Sequence, residues 1–137
     1  AINNIIYNKD WSSGISKSII LAISSLPDNI DGNMFVLGDM PLITVKTLNK
    51  LKSAFIINNG EKIIYAEYFG SQANPVIFPK KYFRQILLLK GDRGCKDIIS
   101  QNINKAIGVN INSSEVIFDC DTKDDYADLV SNIIINV

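Results

Sequence analysis

Asp39 directly follows an apolar run in the segment VLGDMP, between Gly38 and a Met-Pro pair. Gly38 has no Cβ, so a ligand can approach the backbone closely at this point. A lone carboxylate at the end of a strand suits Mg²⁺, which takes one or two protein carboxylates and fills its other positions with water and phosphate oxygens. An aspartate that turns the chain before a helix is the alternative interpretation.

A second acidic segment, DCDTKDD, begins at Asp119. Side chains alternate along an extended chain, so Asp119 and Asp121 are expected on the same side. A second carboxylate near Asp39 would complete a metal site, and Asp121 is the candidate. Thr122 and Asp125 also fit an approximate capping box at the start of a helix, which explains both of these residues but not Asp121.

Two loops that contain glycine precede predicted helices. In GISKS, Ser16 and Ser18 offer hydroxyls at a helix start, where free amides can bind a phosphate or a base carbonyl. In GDRG, Gly91 permits close approach of a ligand beside Asp92. Plain N-capping by Ser16 and by Asp92 is the alternative, and the local sequence favours it in both loops.

The sequence contains no histidine. This excludes Ser-His-Asp and Cys-His catalysis, zinc sites with histidine ligands, and iron sites with two histidines. The two cysteines, Cys95 and Cys120, are too few for a disulfide framework and are typical of a reduced cytosol. We expect neither thiol to be reactive, because aspartates flank Cys120 and because Cys95 is predicted to pack as a small apolar residue.

The composition is that of one domain over residues 1–137, and 47% hydrophobic residues are enough for a core. The 14 basic and 14 acidic residues balance, and the basic ones are scattered, which argues against a nucleic-acid partner. No apolar run approaches the roughly 20 residues of a membrane-spanning helix, and the start lacks a signal-peptide pattern. We therefore expect a cytoplasmic protein without a membrane partner.

Short β-branched runs alternate with segments of helical periodicity, which predicts an α/β sheet with parallel pairs. The predicted strands cover residues 2–7, 33–37, 62–69, 74–78, 105–111 and 115–119. The predicted helices cover residues 16–26, 44–57, 80–89 and 92–102, and a last helix starts at residue 122. Ligands of open α/β sheets bind at the carboxyl ends of the strands, which is where Asp39 would lie.

The order and spacing of these segments resemble the MobA-like nucleotidyltransferases, and within them the molybdenum cofactor cytidylyltransferases. The resemblance extends from about Ile5 to about Leu129 through DWSSGISKSI, VLGDMPLIT, GSQANPVIF, LKGDRGCKDII and FDCDTKDDYADL. It implies a Rossmann-like, three-layer α/β fold with a mixed, mostly parallel sheet. It also implies transfer of CMP from CTP to the terminal phosphate of a molybdopterin-type acceptor, with release of pyrophosphate and with a molybdoenzyme as a further partner.

The resemblance implies roles for individual residues. Asp39 and Asp121 would be the catalytic carboxylates and the Mg²⁺ ligands. The residues expected against the nucleotide are Gly14, Ser16, Ser18 and Gly38. The residues expected on the acceptor side are Asn74 and Asp92. Such a transfer needs no covalent enzyme intermediate, which suits a chain without histidine.

The chain departs from the family pattern at its start. Members of the family open with a strand and a glycine-rich loop, A-G-x-S-x-R-M-G-x-x-K, that holds the triphosphate, and nothing in this sequence matches that loop. AINNIIYNKDW resembles a later strand instead. We therefore expect an N-terminally truncated domain with a weak triphosphate site and an exposed strand edge, which favours a homodimer or a strand-exchanged assembly.

Two further interpretations are left open. A close variant is a MobA-like enzyme that uses GTP or another acceptor. The second is a non-catalytic or partner-dependent domain, which the missing loop favours, whereas the joint presence of Asp39 and Asp121 favours the enzyme. A plain α/β interaction domain is the least favoured, because five segments match in order.

Overall fold

A computed structural model describes residues 4–92 and 94–135, which form a mixed β-sheet with helices on both faces. The strands are Gly32–Phe35 (β1), Ile63–Tyr68 (β2), Ser71–Pro79 (β3) and Ala106–Asn110 (β4). They lie in the order β1-β3-β2-β4. Both β1 and β2 run antiparallel to β3, and β4 runs parallel to β2. All strands except β3 therefore point the same way, which confirms the predicted mixed sheet, but two of the three strand pairs are antiparallel because β3 lies between β1 and β2.

The α-helices divide between the two faces of the sheet. They are Ile15–Ser24 (α1), Val45–Ile57 (α2), Phe83–Ile86 (α3), Lys96–Gln101 (α4) and Lys123–Ile135 (α5). Side chains of α1, α3 and α4 join one core, and α2 joins the other. This three-layer arrangement confirms the predicted fold class. In the described part of the chain, none of the helices combines the length and apolar character needed to cross a membrane.

The two cores use opposite faces of the same strands. Ile63 and Ile64 are both 0% exposed, but Ile63 packs with Ile23 of α1 and Ile64 with Leu51 of α2. Neighbouring strand residues separate in this way because their side chains alternate between the faces. Burying one such side chain contributes about 1.5–3 kcal/mol. Cys95 packs against the first core as predicted, and burial raises the pKa of its thiol to about 11.

The predicted helix signals are most accurate at α2. The Thr44 hydroxyl accepts a hydrogen bond from the Thr47 amide at 3.2 Å, which is the N-cap interaction that the sequence indicates. At the other end, Asn59 and Gly60 have φ angles of 54° and 68°. This left-handed conformation stops the helix after Ile57, as predicted.

Two predicted strands are wrong. Residues 4–7 form no strand, while residues 2 and 3 lie outside the described part of the chain. Ile5 is 85% exposed and Tyr7 is 78% exposed, so this apolar run packs against no core. Residues 115–119 are not a strand either, since a 3-10 helix covers Ser114–Val116. Glu115 is only 9% exposed there, and its carboxylate accepts a hydrogen bond from the Thr47 hydroxyl of α2.

The helices predicted over 80–89 and 92–102 are shorter in the structure. A 3-10 turn precedes α3, and α4 begins only at Lys96, with residue 93 outside the described part. Gly91 has a φ of 63°, and glycine lowers helix propensity by about 1 kcal/mol relative to alanine. N-capping by Asp92 is therefore wrong, because Cys95 occupies the position before α4.

The outer edge of β1 is unpaired within residues 4–92 and 94–135, where β3 is the only strand that pairs with β1. An open strand edge is a template for another strand.

Self-association through this edge of β1 stays a prediction. We expect sedimentation velocity to show a dimer at micromolar concentration, and a monomer at every concentration would contradict it.

The capping box predicted at the start of α5 is formed. The Thr122 hydroxyl accepts from the Asp125 amide at 3.1 Å, and Asp125 Oδ2 accepts from the Thr122 amide at 2.7 Å. The Thr122 hydroxyl also donates to Asp125 Oδ2 at 2.7 Å. This side-chain hydrogen bond, followed by the amide bonds, lowers the pKa of Asp125.

Replacing Asp125 with alanine is expected to destabilise the protein at neutral pH, because the start of α5 loses these hydrogen bonds. The folded-state pKa lies below the ordinary value, so the contribution is complete above about pH 4 and is lost as the pH falls through the lowered pKa. Thermal unfolding of both forms between pH 7 and pH 2 should show a difference that closes at low pH. A difference that is constant across this range would contradict the assignment.

Candidate active site

The loop after β1 places Asp39 at the carboxyl edge of the sheet. Since β1, β2 and β4 point the same way, this is the edge at which open α/β sheets bind ligands. The Asp39 side chain is exposed. A Cβ added at Gly38 would meet no atom within 4 Å, so the backbone beside Asp39 is open to a ligand.

The second acidic segment lies against this loop. The Cys120 amide donates a hydrogen bond to the Asp39 carbonyl oxygen at 2.8 Å. The pKa of Asp119 is raised, first by partial desolvation and then by the negative charges of Asp39 and Asp121. The structure therefore brings Asp39 into one electrostatic environment with Asp119 and Asp121, although Asp119 follows Asp39 by 80 residues in the sequence.

Asp119 is the acidic residue that the predicted site lacked. Alternation of side chains along an extended chain predicts Asp119 on the same side as Asp121, but the resemblance implies a role for Asp121 alone. Residues 118–121 form no strand in the structure, so alternation does not fix their directions. The only sequence signal for Asp119 is a carboxylate two residues before Asp121.

The three carboxylates fit a cation that arrives with a phosphate ligand. In residues 4–92 and 94–135, no three His, Cys, Asp or Glu side chains are placed so that they could hold a metal ion by themselves. Carboxylate oxygens are nevertheless the donors that hard divalent cations prefer, and Mg²⁺ needs only one or two of them when phosphates supply further oxygens. Asp39 and Asp121 therefore offer the number of carboxylates that such a cation takes from a protein.

Replacing Asp119 with asparagine is expected to raise the melting temperature at pH 7 without divalent cations. The raised pKa of Asp119 means that its ionised form is disfavoured in the folded state, so stability falls as the pH rises through about 4 and above. The gain should vanish at pH 3, where the Asp119 carboxyl is protonated in both the folded and the unfolded state. A melting temperature that is unchanged or lower at pH 7 would show that Asp119 is not in repulsive contact with its neighbours.

A cavity of about 310 Å³ opens beside the end of β1. Its walls are largely apolar and include Ile15 and Ile19 of α1 and Phe35 and Leu37 at the end of β1. Polar side chains come from Gln72, Asn74 and Lys96, and Lys96 is exposed. An apolar cavity with few polar groups is typical of a site for a small organic molecule.

Asn74 lies in an irregularity of β3. The partner of Tyr65 is Val76, whereas the partner of Ala66 is Ala73, so Asn74 and Pro75 are extra residues on β3. Such bulges redirect a side chain and often occur beside active sites. Asn74 lines the cavity. Its role on the acceptor side stays a prediction, and its position is compatible with that role.

The two glycine-containing loops contact each other. Gly14 has a φ of 102°, and a Cβ added there would lie 2.5 Å from the carbonyl carbon and oxygen of Gly91 and 2.7 Å from Asp92 Oδ1. The Ser16 amide donates to the Gly91 carbonyl oxygen at 3.2 Å. The loop expected against the nucleotide and the loop expected on the acceptor side therefore form one continuous surface.

The two serines of the GISKS loop differ in exposure. Ser16 is 1% exposed and lies inside α1, whose N-cap is Gly14, so N-capping by Ser16 is wrong. Ser18 is exposed, and its hydroxyl accepts a hydrogen bond from the Asn8 amide group at 2.9 Å. Of the two hydroxyls, that of Ser18 is the one open to a ligand from solvent. Nucleotide contact stays a prediction for both.

Comparison with known proteins decides the family. The family model of the MobA-like NTP transferase domain matches residues 3–106. The chain belongs to the MobA-like NTP transferase family. The matched region includes Asp39, Asn74 and Asp92, and it ends before the acidic segment at Asp119. No curated protein matches the chain.

Solved structures share the fold of this MobA-like chain. A homologue of Mycobacterium tuberculosis Rv0371c, from Mycobacterium sp. strain JC1, is 24% identical with a TM-score of 0.74, over 88% of this chain and 59% of that one. Rv0371c from M. tuberculosis H37Rv in complex with manganese is 23% identical with a TM-score of 0.71, over 83% and 59%. Another structure of Rv0371c is 22% identical with a TM-score of 0.71, over 83% and 57%. The chain thus spans just under three fifths of the length of these structures.

Proposed function

We propose that this MobA-like domain transfers CMP from CTP to the terminal phosphate of a molybdopterin-type acceptor, with release of pyrophosphate. The observation that carries the proposal is the hydrogen bond from the Cys120 amide to the Asp39 carbonyl, which joins two acidic segments at the ligand-binding edge. The choice of CTP and of a pterin rests on the resemblance of the sequence to molybdenum cofactor cytidylyltransferases. Residues 1–137 would act as one domain, in the cytoplasm and with a molybdoenzyme as the recipient of the product.

In this proposal Asp39 and Asp121 hold Mg²⁺ together with the nucleotide phosphates. The cation supplies charge neutralisation at the phosphates when it is bound. Two findings support a divalent cation: the proximity of the Asp39 and Asp121 carboxylates to Asp119, whose pKa they help to raise, and the manganese in a structure of the same fold. Mg²⁺ and Mn²⁺ both prefer oxygen donors.

The protein groups around the metal position the reactants. The open backbone at Gly38 allows a phosphate to approach the end of β1, and Gly14 and Ser18 border the nucleotide on the α1 side. Aligning the two phosphates is the main catalytic requirement, because a correctly oriented pair reacts without a covalent enzyme intermediate. No residue of the chain has to act as a nucleophile.

The cavity beside β1 would take the ring system of the acceptor. Its apolar walls, from Phe35 and Leu37 among others, exclude water from a flat heterocycle, and Asn74 offers an amide that can both donate and accept hydrogen bonds. Asp92 lies on the loop that contacts Gly14, and in this proposal it would contribute to the acceptor side.

The test is calorimetric titration of the protein with CTP, GTP, ATP and UTP, each with Mg²⁺ and with Mn²⁺. We expect binding that requires the cation and that favours CTP by about tenfold, the effect of about 1.4 kcal/mol. If the protein prefers GTP, then GTP takes the place of CTP as the proposed donor, and nucleotidyl transfer remains the proposed reaction. Absence of binding by all four nucleotides would contradict the proposed function.

A partner-dependent or non-catalytic role is the second candidate. It is favoured by the sequence, in which nothing matches the glycine-rich loop that holds the triphosphate in the family. A pyrophosphate-release assay with a molybdopterin acceptor separates the two candidates. Nucleotide binding without pyrophosphate release would favour the non-catalytic role.

A further inference from the structure

Glu115 is a buried carboxylate outside the group of Asp39, Asp119 and Asp121. It is 9% exposed, although glutamate is almost never buried unless it is paired. Its Oε1 accepts hydrogen bonds from two hydroxyls, that of Thr44 at 3.3 Å and that of Thr47. Thr47 is also buried, at 4% exposed. These hydrogen bonds connect the 3-10 helix Ser114–Val116 to the start of α2.

The two segments that meet at Glu115 are the segments that carry the candidate metal ligands. Thr44 follows Asp39 by five residues, and Glu115 precedes Asp119 by four. On the ligand side of this contact, the Cys120 amide donates to the Asp39 carbonyl oxygen at 2.8 Å. The segment from Asp39 to Thr47 and the segment from Glu115 to Asp121 are thus joined at two points. The first is the Glu115 carboxylate, and the second is the Cys120 amide, next to the candidate metal ligands.

The hydrogen bonds of Glu115 fix the position of the 3-10 helix relative to the start of α2 more closely than an apolar contact would. One carboxylate oxygen that accepts from two hydroxyls fixes direction and distance, whereas an apolar contact allows the helices to slide. Thr44 is tied twice, since its oxygen also accepts from the Thr47 amide at 3.2 Å. A shift of Glu115 therefore moves the start of α2 and the loop before it together.

We propose that Glu115 is a positioning residue of the candidate site: through Thr44 and Thr47 it sets the distance between Asp39 and the carboxylates of residues 119–121. The inference rests on the proposed function, in which Asp39 and Asp121 would hold a divalent cation together with nucleotide phosphates. Glu115 itself touches neither nucleotide nor metal. Residues that orient metal ligands in this way typically change metal affinity by about 10–100-fold when they are replaced.

The test compares Glu115→Ala and Glu115→Gln in calorimetric titrations with CTP and Mn²⁺. Alanine is expected to weaken binding at least about tenfold. Glutamine should bind within about threefold of the unchanged protein, because its amide oxygen can still accept from both hydroxyls. The matched control is Lys50→Met, which removes a different link of α2, from Lys50 Nζ to the Asn110 carbonyl oxygen at 2.5 Å, and should leave the affinity unchanged.

Hydrogen exchange at the Cys120 amide provides a readout that general stability would not change. In Glu115→Ala this amide should exchange at least about tenfold faster, whereas the amides of β2 and β3 keep their rates. If Glu115→Ala does not fold, Thr47→Val takes its place, because it removes one hydroxyl and keeps the shape of the side chain. The same losses are expected in that variant.

The results separate the inference from the proposed function. If the unchanged protein does not bind CTP with Mn²⁺, the proposed function fails, and the exchange of Cys120 still decides whether Glu115 sets the loop distance. If the unchanged protein binds and the folded variant, Glu115→Ala or Thr47→Val, binds equally well, the positioning role is overturned. It is also overturned if exchange at Cys120 is unaffected.

Discussion

Asparagine in place of Asp39 is expected to abolish nucleotide binding that depends on a divalent cation, with a loss of affinity on the order of 100-fold or more. Replacing even an outer partner of a metal ligand costs about 10–100-fold, so a direct ligand should reach the upper end of that range. The fold should be retained, because the hydrogen bond to Cys120 uses the Asp39 carbonyl oxygen and not its side chain. The Asp39 side chain is exposed, so the substitution leaves no cavity.

The matched control for this variant is Asp31→Asn. Asp31 is exposed and lies at the amino end of the same strand, β1, so it gives the same change in net charge away from the ligand-binding edge. Calorimetric titration with CTP and Mg²⁺ should show binding for Asp31→Asn and none for Asp39→Asn. Equal losses in both variants would mean that overall charge, and not a ligand at Asp39, controls binding.

The helices that the sequence predicts best are those whose ends are decided by near neighbours. Thr44 hydrogen-bonds to Thr47, and Thr122 to Asp125, so each cap depends on residues within one turn. The stop after α2 is likewise local, since Asn59 and Gly60 adopt the left-handed conformation themselves. Short-range chemistry of this kind is visible in a few consecutive residues.

The strands that the sequence mispredicts depend on distant partners. The apolar run around Ile5 has the residue types of a strand, but in residues 4–7 it pairs with no strand and remains exposed. Glu115 leaves the expected strand to meet Thr47, which is 68 residues away in the sequence. Propensity cannot show either outcome, because β-structure depends on the surface against which a segment packs.

The candidate site divides in the same way. Asp39 was predicted from its place after an apolar strand, which is a local signal. The approach of residues 119–121, the cavity with Asn74, and the contact between Gly14 and Gly91 join segments that lie far apart in the sequence. Only the ordered resemblance to a family suggested that these segments belong together, and it gave no distances between them.

The largest effect on stability is expected at Gly14, where alanine should cost about 2–6 kcal/mol. Gly14 has φ 102° and ψ 163°, a region that is essentially restricted to glycine and that costs other residues about 1–3 kcal/mol. The new Cβ would also lie 2.5 Å from the Gly91 carbonyl group. That neighbour is backbone and cannot rotate away, so the overpacking adds about 1–3 kcal/mol.

Gly70→Ala separates these two contributions. Gly70 has a φ of 80° and no atom within 4 Å of an added Cβ, so only the conformational cost of about 1–2 kcal/mol applies. Urea unfolding followed by far-ultraviolet circular dichroism measures both variants. A larger loss in Gly14→Ala should be accompanied by weaker acceptor binding, because Asp92 Oδ1 lies 2.7 Å from the added Cβ and must move with the loop. Equal losses in the two variants would mean that the GISKS and GDRG loops are not in tight contact, and Asp92 would then no longer be held beside the nucleotide side of the site.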